Sequence, residues 1–522
     1  MARMNKRNAK PRNTATTPIA TTGQAFTVEG GKGWQRTPKG ELFLAAVTSL
    51  NEDTFYESAD ERATRIQTLT KDNEIVTDPE WTLGLVRWLR QEVGLRSIPT
   101  VVAISAVKAR LNAGLTGTNR QIIEAAIGRL DEASDMVAGW MSLYGRNIPS
   151  CVRRGVADAL RARLSERSYL KWVGRMNNGS VSLRDVINLT HPQPKDKKQT
   201  ALFKLVLDEG YGKKGNDKQL PVIRARRRFL AMDRDAQISA LTGPDAQDVI
   251  RKAALTHEVI AGSIGTIPAD VWETLVPTMG YMALRMNLRR IEASGASRAL
   301  IATINERLSD VEEAAKSRTM PVSFYAAYKN APLKFAAALQ DAANASLENV
   351  PALKGNTLVL LDRSGSMFSL LSEKSSLSCQ DAANVFASAL AIRGEDVRVV
   401  AFATDVEDVQ VNSSDLLRVV DQMPDSRGGT FTPEAIRWAH EGGRQYDRIV
   451  ILTDEQYWGG SVDKALDTYA PGVPVFTWNL AGYRTAQMEA CEGRWTFGGL
   501  SDKGFQMIPL LERGIGQSWP WE

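Results

Sequence analysis

Apolar residues recur at three- and four-residue spacing through most of the stretch from Lys39 to Asn344, the period of helices that bury one face. The pattern predicts helices near residues 100–112, 119–129, 150–164, 182–190, 199–209, 245–261, 269–291, 297–316 and 331–346. Another opens at Thr77-Asp78-Pro79-Glu80. There Asp78 is a cap candidate, Pro79 falls where a missing N–H is harmless, and Glu80 suits the positive helix end. Trp81, Leu83, Leu85, Trp88 and Leu89 then form a broad apolar face. Short helices joined by short polar turns suggest stacked antiparallel pairs, as in an α-solenoid. No clean repeat period is visible, so a compact all-α unit fits the pattern equally. Residues 1–22, with five bases and no acid, read as a disordered basic arm.

The pattern changes at Gly355. Thr357 to Leu361 is a continuous apolar run, the mark of a strand covered on both faces. A helical pattern follows, with Ala382, Ala383, Val385, Phe386, Ala389 and Leu390 inward. Next come strands at Val397–Ala403, Ile449–Thr453 and Val473–Leu480 and a helix at Pro433–Glu441. Strands alternating with helices predict a doubly wound α/β domain over residues 355–522, after a helical part over 23–354.

Charge sharpens this division. The chain of 522 residues carries a net charge of only +5, yet residues 355–522 hold 14 Lys and Arg against 23 Asp and Glu, leaving 51 bases and 37 acids before them. A polyanion-binding part joined to an acidic part is expected. Three scattered cysteines and three scattered histidines exclude a disulfide framework, a Cys-x-x-Cys site and a His-x-x-x-His zinc hydrolase. Without a long apolar segment or a signal-like start, a cytoplasmic protein is expected.

The first strand of the α/β part runs into Asp362-Arg363-Ser364-Gly365-Ser366. Ligands gather at the carboxyl ends of strands in such folds, and Asp-x-Ser-x-Ser offers a carboxylate and two hydroxyls from one tight loop. Gly428-Gly429-Thr430 and Thr453-Asp454 add a third hydroxyl and a second carboxylate. These are hard oxygen donors, suited to Mg²⁺ first and to Mn²⁺ as an alternative. The set resembles the metal-ion-dependent adhesion site of von Willebrand factor A domains, in which Asp362, Ser364, Ser366, Thr430 and Asp454 take the ligand positions, with Thr432 a weaker substitute for Thr430. An open coordination position would make it a docking site. No general base stands nearby in the sequence to support metal-assisted hydrolysis.

The densest positive region, Val152 to Arg228, holds 19 bases and 7 acids, interleaved with Tyr169, Trp172 and Tyr211. Arg224, Arg227 and Arg228 are spaced to share a helix face. Guanidiniums bind phosphate and aromatic rings stack on unpaired bases, so nucleic acid is the expected partner. Here the segment Ser182-Leu183-Arg184-Asp185-Val186-Ile187-Asn188-Leu189-Thr190-His191 resembles the signature of the TROVE module of Ro RNA-binding proteins. Trp272-Glu273, Met282 to Leu288, Ser317 to Pro321 and the joining stretch Ala338 to Met367 resemble later blocks, so the likeness runs from about Gln24 onward.

The resemblance implies a monomeric ring of HEAT-like helical repeats closed by the A domain. Its central hole would take single-stranded 3′ ends of defective RNAs, and its basic outer surface a small noncoding Y RNA. Lys171, Arg175 and His191 match positions implicated in RNA contact. Arg184, Lys195, Lys197, Lys198, Arg224, Arg227 and Arg228 are the further candidates. The family's His-x-Lys-Pro is His191-Pro192-Gln193-Pro194 here, with Lys195 in reach of the replaced lysine's role. The expected function is non-catalytic RNA quality control, with a 3′-to-5′ exoribonuclease such as polynucleotide phosphorylase as partner. The alternative is a metal-dependent protein-interaction scaffold acting through the A domain.

Overall fold

A computed structural model describes residues 21–26, 32–47, 59–371, 375–425, 428–454, 461–480, 493–498, 504–514 and 519–522. Most of the predicted arm lies outside these residues, but its last two positions begin a strand. β1 (Thr21–Phe26) pairs antiparallel with β2 (Lys32–Arg36).

From Pro38–Val47 to Ala336–Ser346 the described chain is helical, without a strand. The predicted cap is in place: Asp78 Oδ1 accepts from Trp81 N at 3.0 Å, with Pro79 opening the helix Pro79–Gln91. Buried charged groups fasten neighbouring helices. Arg90 donates to both oxygens of Glu132, at 2.7 Å to Oε1, while Glu132 Oε2 also accepts from Gly128 N and Arg129 N. Arg110 donates to Asn119 Oδ1 and to the carbonyls of Val76 and Thr116.

Three long predicted helices are broken. Residues 245–261 divide into Ala246–Lys252 and His257–Ile264, with Ala254 in the left-handed region between them. Residues 269–291 form Ala269–Leu275, a 3₁₀ turn at Val276–Thr278, Tyr281–Met286 and Leu288–Ala293. Asp310 ends Arg298–Ser309 and caps Val311–Lys316 through Glu313 N at 2.8 Å. Apolar spacing continues across these breaks because consecutive helices bury into one core, so periodicity alone merges them. It also passes over Glu132–Tyr144, Glu166–Asn177 and Pro321–Asn330.

The α/β part is a six-stranded sheet made of β3 (Asn356–Asp362), β4 (Asp396–Phe402), β5 (Val406–Val409), β6 (Arg448–Thr453), β7 (Val475–Asn479) and β8 (Arg494–Gly498). The order is β5-β4-β3-β6-β7-β8, parallel except for β5 at one edge. β5 and β8 escape the sequence pattern, being short and lying at the edges. Side chains alternate along β3: Val359 and Leu361 join the core containing helix Cys379–Arg393, while Leu358 and Leu360 pack with Ala435, Ile436 and Leu466 on the other face. This two-sided burial is why the strand reads as an unbroken apolar run.

Among the described residues the two parts are joined at a polar seam and at an aromatic clasp. At a polar seam Lys329 Nζ lies 2.9 Å from Asp381, Asn330 donates to Ser376, and Gln340 and Asn344 both donate to Asp415. At an aromatic clasp the C-terminal Trp519 and Trp521, stacked on each other, pack against Phe43, Trp81 and Trp88 of the first helices. A Cβ on Gly84 would stand 2.2 Å from the Trp521 indole, so glycine is what admits that ring. The path of contacts from helix to helix, into the sheet and back to the first helices is thereby closed.

Candidate metal centre and nucleic-acid interface

Asp362 ends β3 and Asp454 follows β6, neighbouring strands at the point where strand order departs in both directions. Both side chains are buried, as are Ser364 and Thr430; Ser366 is half-buried. Asp362 Oδ1 accepts from Ser364 N at 2.8 Å and Oδ2 from the Thr453 hydroxyl at 2.6 Å. The Ser364 and Ser366 hydroxyls are 3.1 Å apart. Gly365 N donates to Gly428 O at 3.1 Å, which ties the loop to the segment carrying Thr430. Thr432, the weaker substitute, is buried as the first residue of Thr432–Ala439.

Burial pushes the Asp362 carboxyl up to about 7; bonds from Thr453 and Ser364 oppose the rise and the Asp454 carboxylate adds to it. A nearby cation would relieve both desolvation and repulsion. Two carboxylates and three hydroxyls fit a hard divalent ion, and among the described residues no cluster of three His, Cys, Asp or Glu side chains offers another kind of site. Arg363, inside the motif, is fully buried and pairs with Asp405 at 2.7 Å and Glu407 at 2.9 Å on the β4–β5 hairpin. The sequence reading missed this pairing, whose signal was two acids spaced two apart after a strand.

The basic candidates fall into groups. Helix Leu183–Thr190 lies antiparallel to Lys197–Gly210, because Arg184 near the start of one donates to Gly210 O at the end of the other. His191, in the left-handed region and exposed, together with Lys195, Lys197 and Lys198, therefore occupies one end of the pair. Their side chains make no hydrogen bond or ion pair among the described residues. At the other end Arg184 is bonded to Asp185 and Gly210.

Arg227 is not available in the way its spacing suggested. It pairs with Glu209 and, at 2.9 Å, with Asp217, and Glu209 also takes the Tyr169 hydroxyl at 2.6 Å. Arg224 is half-buried and reaches only Lys218 O at 3.4 Å, so of that trio Arg228 alone is exposed and unpaired among the described residues. Arg175 pairs with Asp131 at 2.6 Å and Asp135 at 3.3 Å, beside a cavity of about 390 Å³ also lined by Met176, Ser180 and Val181. Burial drives the Asp135 carboxyl upward, against the pull of Arg175. Lys171 is exposed, its ammonium 4.9 Å from the Trp172 ring centre, while Arg129 covers that ring at 3.9 Å. Arg129 is a second residue that the sequence reading missed.

The profile of the TROVE domain matches residues 265–358, and that of the Ro60 vWA domain matches residues 356–474. The chain is thus similar to both domains of Ro proteins. Both matches lie C-terminal to the basic helices, so the interface in this chain rests on its own geometry. Over 370 residues the chain is 25% identical to the RNA-binding protein RO60 of Deinococcus radiodurans, an alignment covering 65% of this chain and 64% of that one. Over 243 residues it is 26% identical to the RNA-binding protein RO60 of Caenorhabditis elegans, covering 42% of this chain and 38% of the other. The chain thus aligns with less than two thirds of the length of either curated relative. Its fold matches the crystal structure of the Deinococcus radiodurans RO (RSR) protein with a TM-score of 0.71 at 19% identity, covering 91% of this chain and 99% of that one. The helical repeat region followed by a von Willebrand A domain is therefore the Ro architecture.

Proposed function

We propose that this chain is a non-catalytic RNA-binding protein. It holds a small noncoding Y RNA on its basic outer surface and single-stranded 3′ ends of misfolded RNAs in a central hole. The observation that carries the reading is the exposed cluster of Lys195, Lys197 and Lys198 beside His191, unpaired among the described residues, in a chain whose curated relatives are named RNA-binding proteins. Lysines without internal partners gain affinity for phosphates by releasing counterions, and selection then falls to shape and free ends. In the same reading the protein is a cytoplasmic, monomeric ring that delivers RNA to a 3′-to-5′ exoribonuclease such as polynucleotide phosphorylase.

The A-domain oxygens of Asp362, Ser364, Ser366, Thr430 and Asp454 would hold Mg²⁺, or Mn²⁺, as a structural and docking ion. Bound there, the ion supplies a coordination position for a partner's carboxylate. One observation favours a second reading, a protein-interaction scaffold: Phe368 and Leu370, just beyond Ser366, are exposed apolar side chains.

The deciding experiment compares RNA affinity across salt concentrations for a blunt duplex and for the same duplex with a 3′ overhang. The RNA reading expects steep salt dependence and tighter binding of the overhang; equal affinity for both, or a flat salt response, would reject it. The scaffold reading expects Asp362→Ala to abolish the principal binding and Lys171→Ala with Arg175→Ala to leave it intact.

A further inference from the structure

Three aromatic side chains punctuate the basic region, and the fold treats them differently. Tyr169 is buried and spends its hydroxyl on Glu209; Trp172 is half-buried under Arg129. Tyr211 is 60% exposed, the most exposed aromatic side chain among the described helical residues. Exposure here is not looseness. Asn188 Nδ2 donates to the Tyr211 hydroxyl at 2.9 Å, and the Arg184 guanidinium stands 5.4 Å from the ring centre. Arg184 is itself anchored on Gly210 O at 2.7 Å and on Asp185. A Cβ on Gly210 would meet the Arg184 side chain at 2.7 Å, so this glycine lets the arginine lie across the turn. Tyr211 N is bonded to Leu207 O at 3.0 Å, which fixes the backbone as well.

The surroundings are cationic. Lys213 and Lys214 are exposed two and three residues on, with no side-chain ion pair among the described residues. Of the neighbouring acids, Asp185 and Glu209 are already taken by Arg184 and Arg227, which leaves Asp208, three residues before Tyr211, against Lys213 and Lys214. An apolar partner protein would have to desolvate this ring of charges. A nucleobase offers an aromatic face to the tyrosine and a phosphate to the lysines.

We propose that Tyr211 is a stacking platform for an unpaired base of single-stranded RNA, with Arg184 backing the ring and Lys213 and Lys214 receiving the flanking phosphates. The proposal rests on the RNA-binding reading and adds a base-contacting residue outside the cluster at His191 to Lys198. The antiparallel packing puts the platform at the far end of helix Lys197–Gly210 from Lys197 and Lys198, about 20 Å away at 1.5 Å per residue, while His191 is nearer, three residues from the Asn188 that bonds Tyr211. That distance fits one strand of several nucleotides touching both.

The test measures fluorescence anisotropy of a labelled twelve-nucleotide oligouridylate with the full chain, and of the same oligomer carrying abasic sites. Tyr211→Ala should weaken oligouridylate binding roughly tenfold without changing the salt slope, and Tyr211→Phe should stay within about twofold, since stacking needs the ring and not the hydroxyl. The wholly abasic oligomer should bind wild type and Tyr211→Ala alike. Oligouridylate binding unchanged in Tyr211→Ala, or a loss equal in the Phe variant or on the abasic oligomer, would overturn the platform while leaving RNA binding standing. A wild-type chain that binds no oligomer would overturn the RNA reading and the platform together.

Discussion

The oxygen cluster at the ends of β3 and β6 and the lysines around helix Lys197–Gly210 would meet a charged ligand in opposite ways. In the sheet the acceptors are buried and braced by Thr453 and by the Ser364 amide, so without a cation they hold desolvated, mutually repelling carboxylates. On the helices Lys195, Lys197 and Lys198 stay in water and carry little strain before a ligand arrives. The difference predicts where each ligand is felt. A cation should show itself in the stability of the A domain, and a polyanion in affinity that falls with salt.

The largest break in this comparison comes from the exposed lysines. Replacing Lys195, Lys197 and Lys198 together by Ala should weaken RNA binding on the order of 100-fold and reduce the salt slope by about 2 to 3, with the melting temperature unchanged. Filter binding at several salt concentrations, beside thermal melting, reads both. Next, Mg²⁺ at ten times its Kd should stabilise the protein by ~1.4 kcal/mol, a gain absent in Asp362→Ala, while RNA affinity differs by less than about twofold between the two. An unchanged magnesium response in that variant would remove Asp362 from the site.

Arg227 sharpens the contrast from within the basic region, because it is a cation already spent. Arg227→Ala should lower stability by ~1 kcal/mol, since its partners Glu209 and Asp217 are only partly shielded from water, and should change RNA affinity less than threefold. A tenfold affinity loss with no change in denaturant midpoint would mean that the arginine leaves its acids for RNA.

The smallest effect belongs to the polar seam between the regions. Burial of Asp381 works upward on its carboxyl, but bonds from Ser378 and Lys329 outweigh it and hold the group below the ordinary carboxylate range. Asp415 is held down likewise, its burial outweighed by bonds from Arg418 N, Gln340 and Asn344. A depressed value stabilises above the unfolded value of 3.8 and loses that contribution as pH falls through the folded value. Asp381→Asn should therefore lessen the pH dependence of unfolding below about pH 4 and leave the slope near neutrality as it was.

What could be read from the sequence followed from how local each interaction is. The run Thr357 to Leu361 announces a two-sided strand because each position meets a core, and Asp362-x-Ser364-x-Ser366 announces an oxygen cluster because its oxygens share one loop. The Asp78 cap was legible for the same reason. Helix breaks at Ala254 and Asp310 were not, since apolar spacing survives a change of helix when both bury in one core. Counting charges over Val152 to Arg228 revealed the basic surface but not its availability. Asp131 reaches Arg175 from another helix, and Glu209 and Asp217 bracket Arg227 only once three segments have packed. Spacing along the chain carries no trace of such pairings.

The clasp of Trp519 and Trp521 on Phe43, Trp81 and Trp88 has a kinetic meaning. It joins positions more than 400 residues apart, so its closure entropy is repaid only after both regions have folded, and it should form last. For the same reason it should be the first contact to let go. Opening there frees residues 519–522 and a few indoles without disturbing a described helix or strand, a sub-global event far below the free energy of unfolding. Amide exchange in helix Pro38–Val47 should thus be faster than in the strands of the sheet.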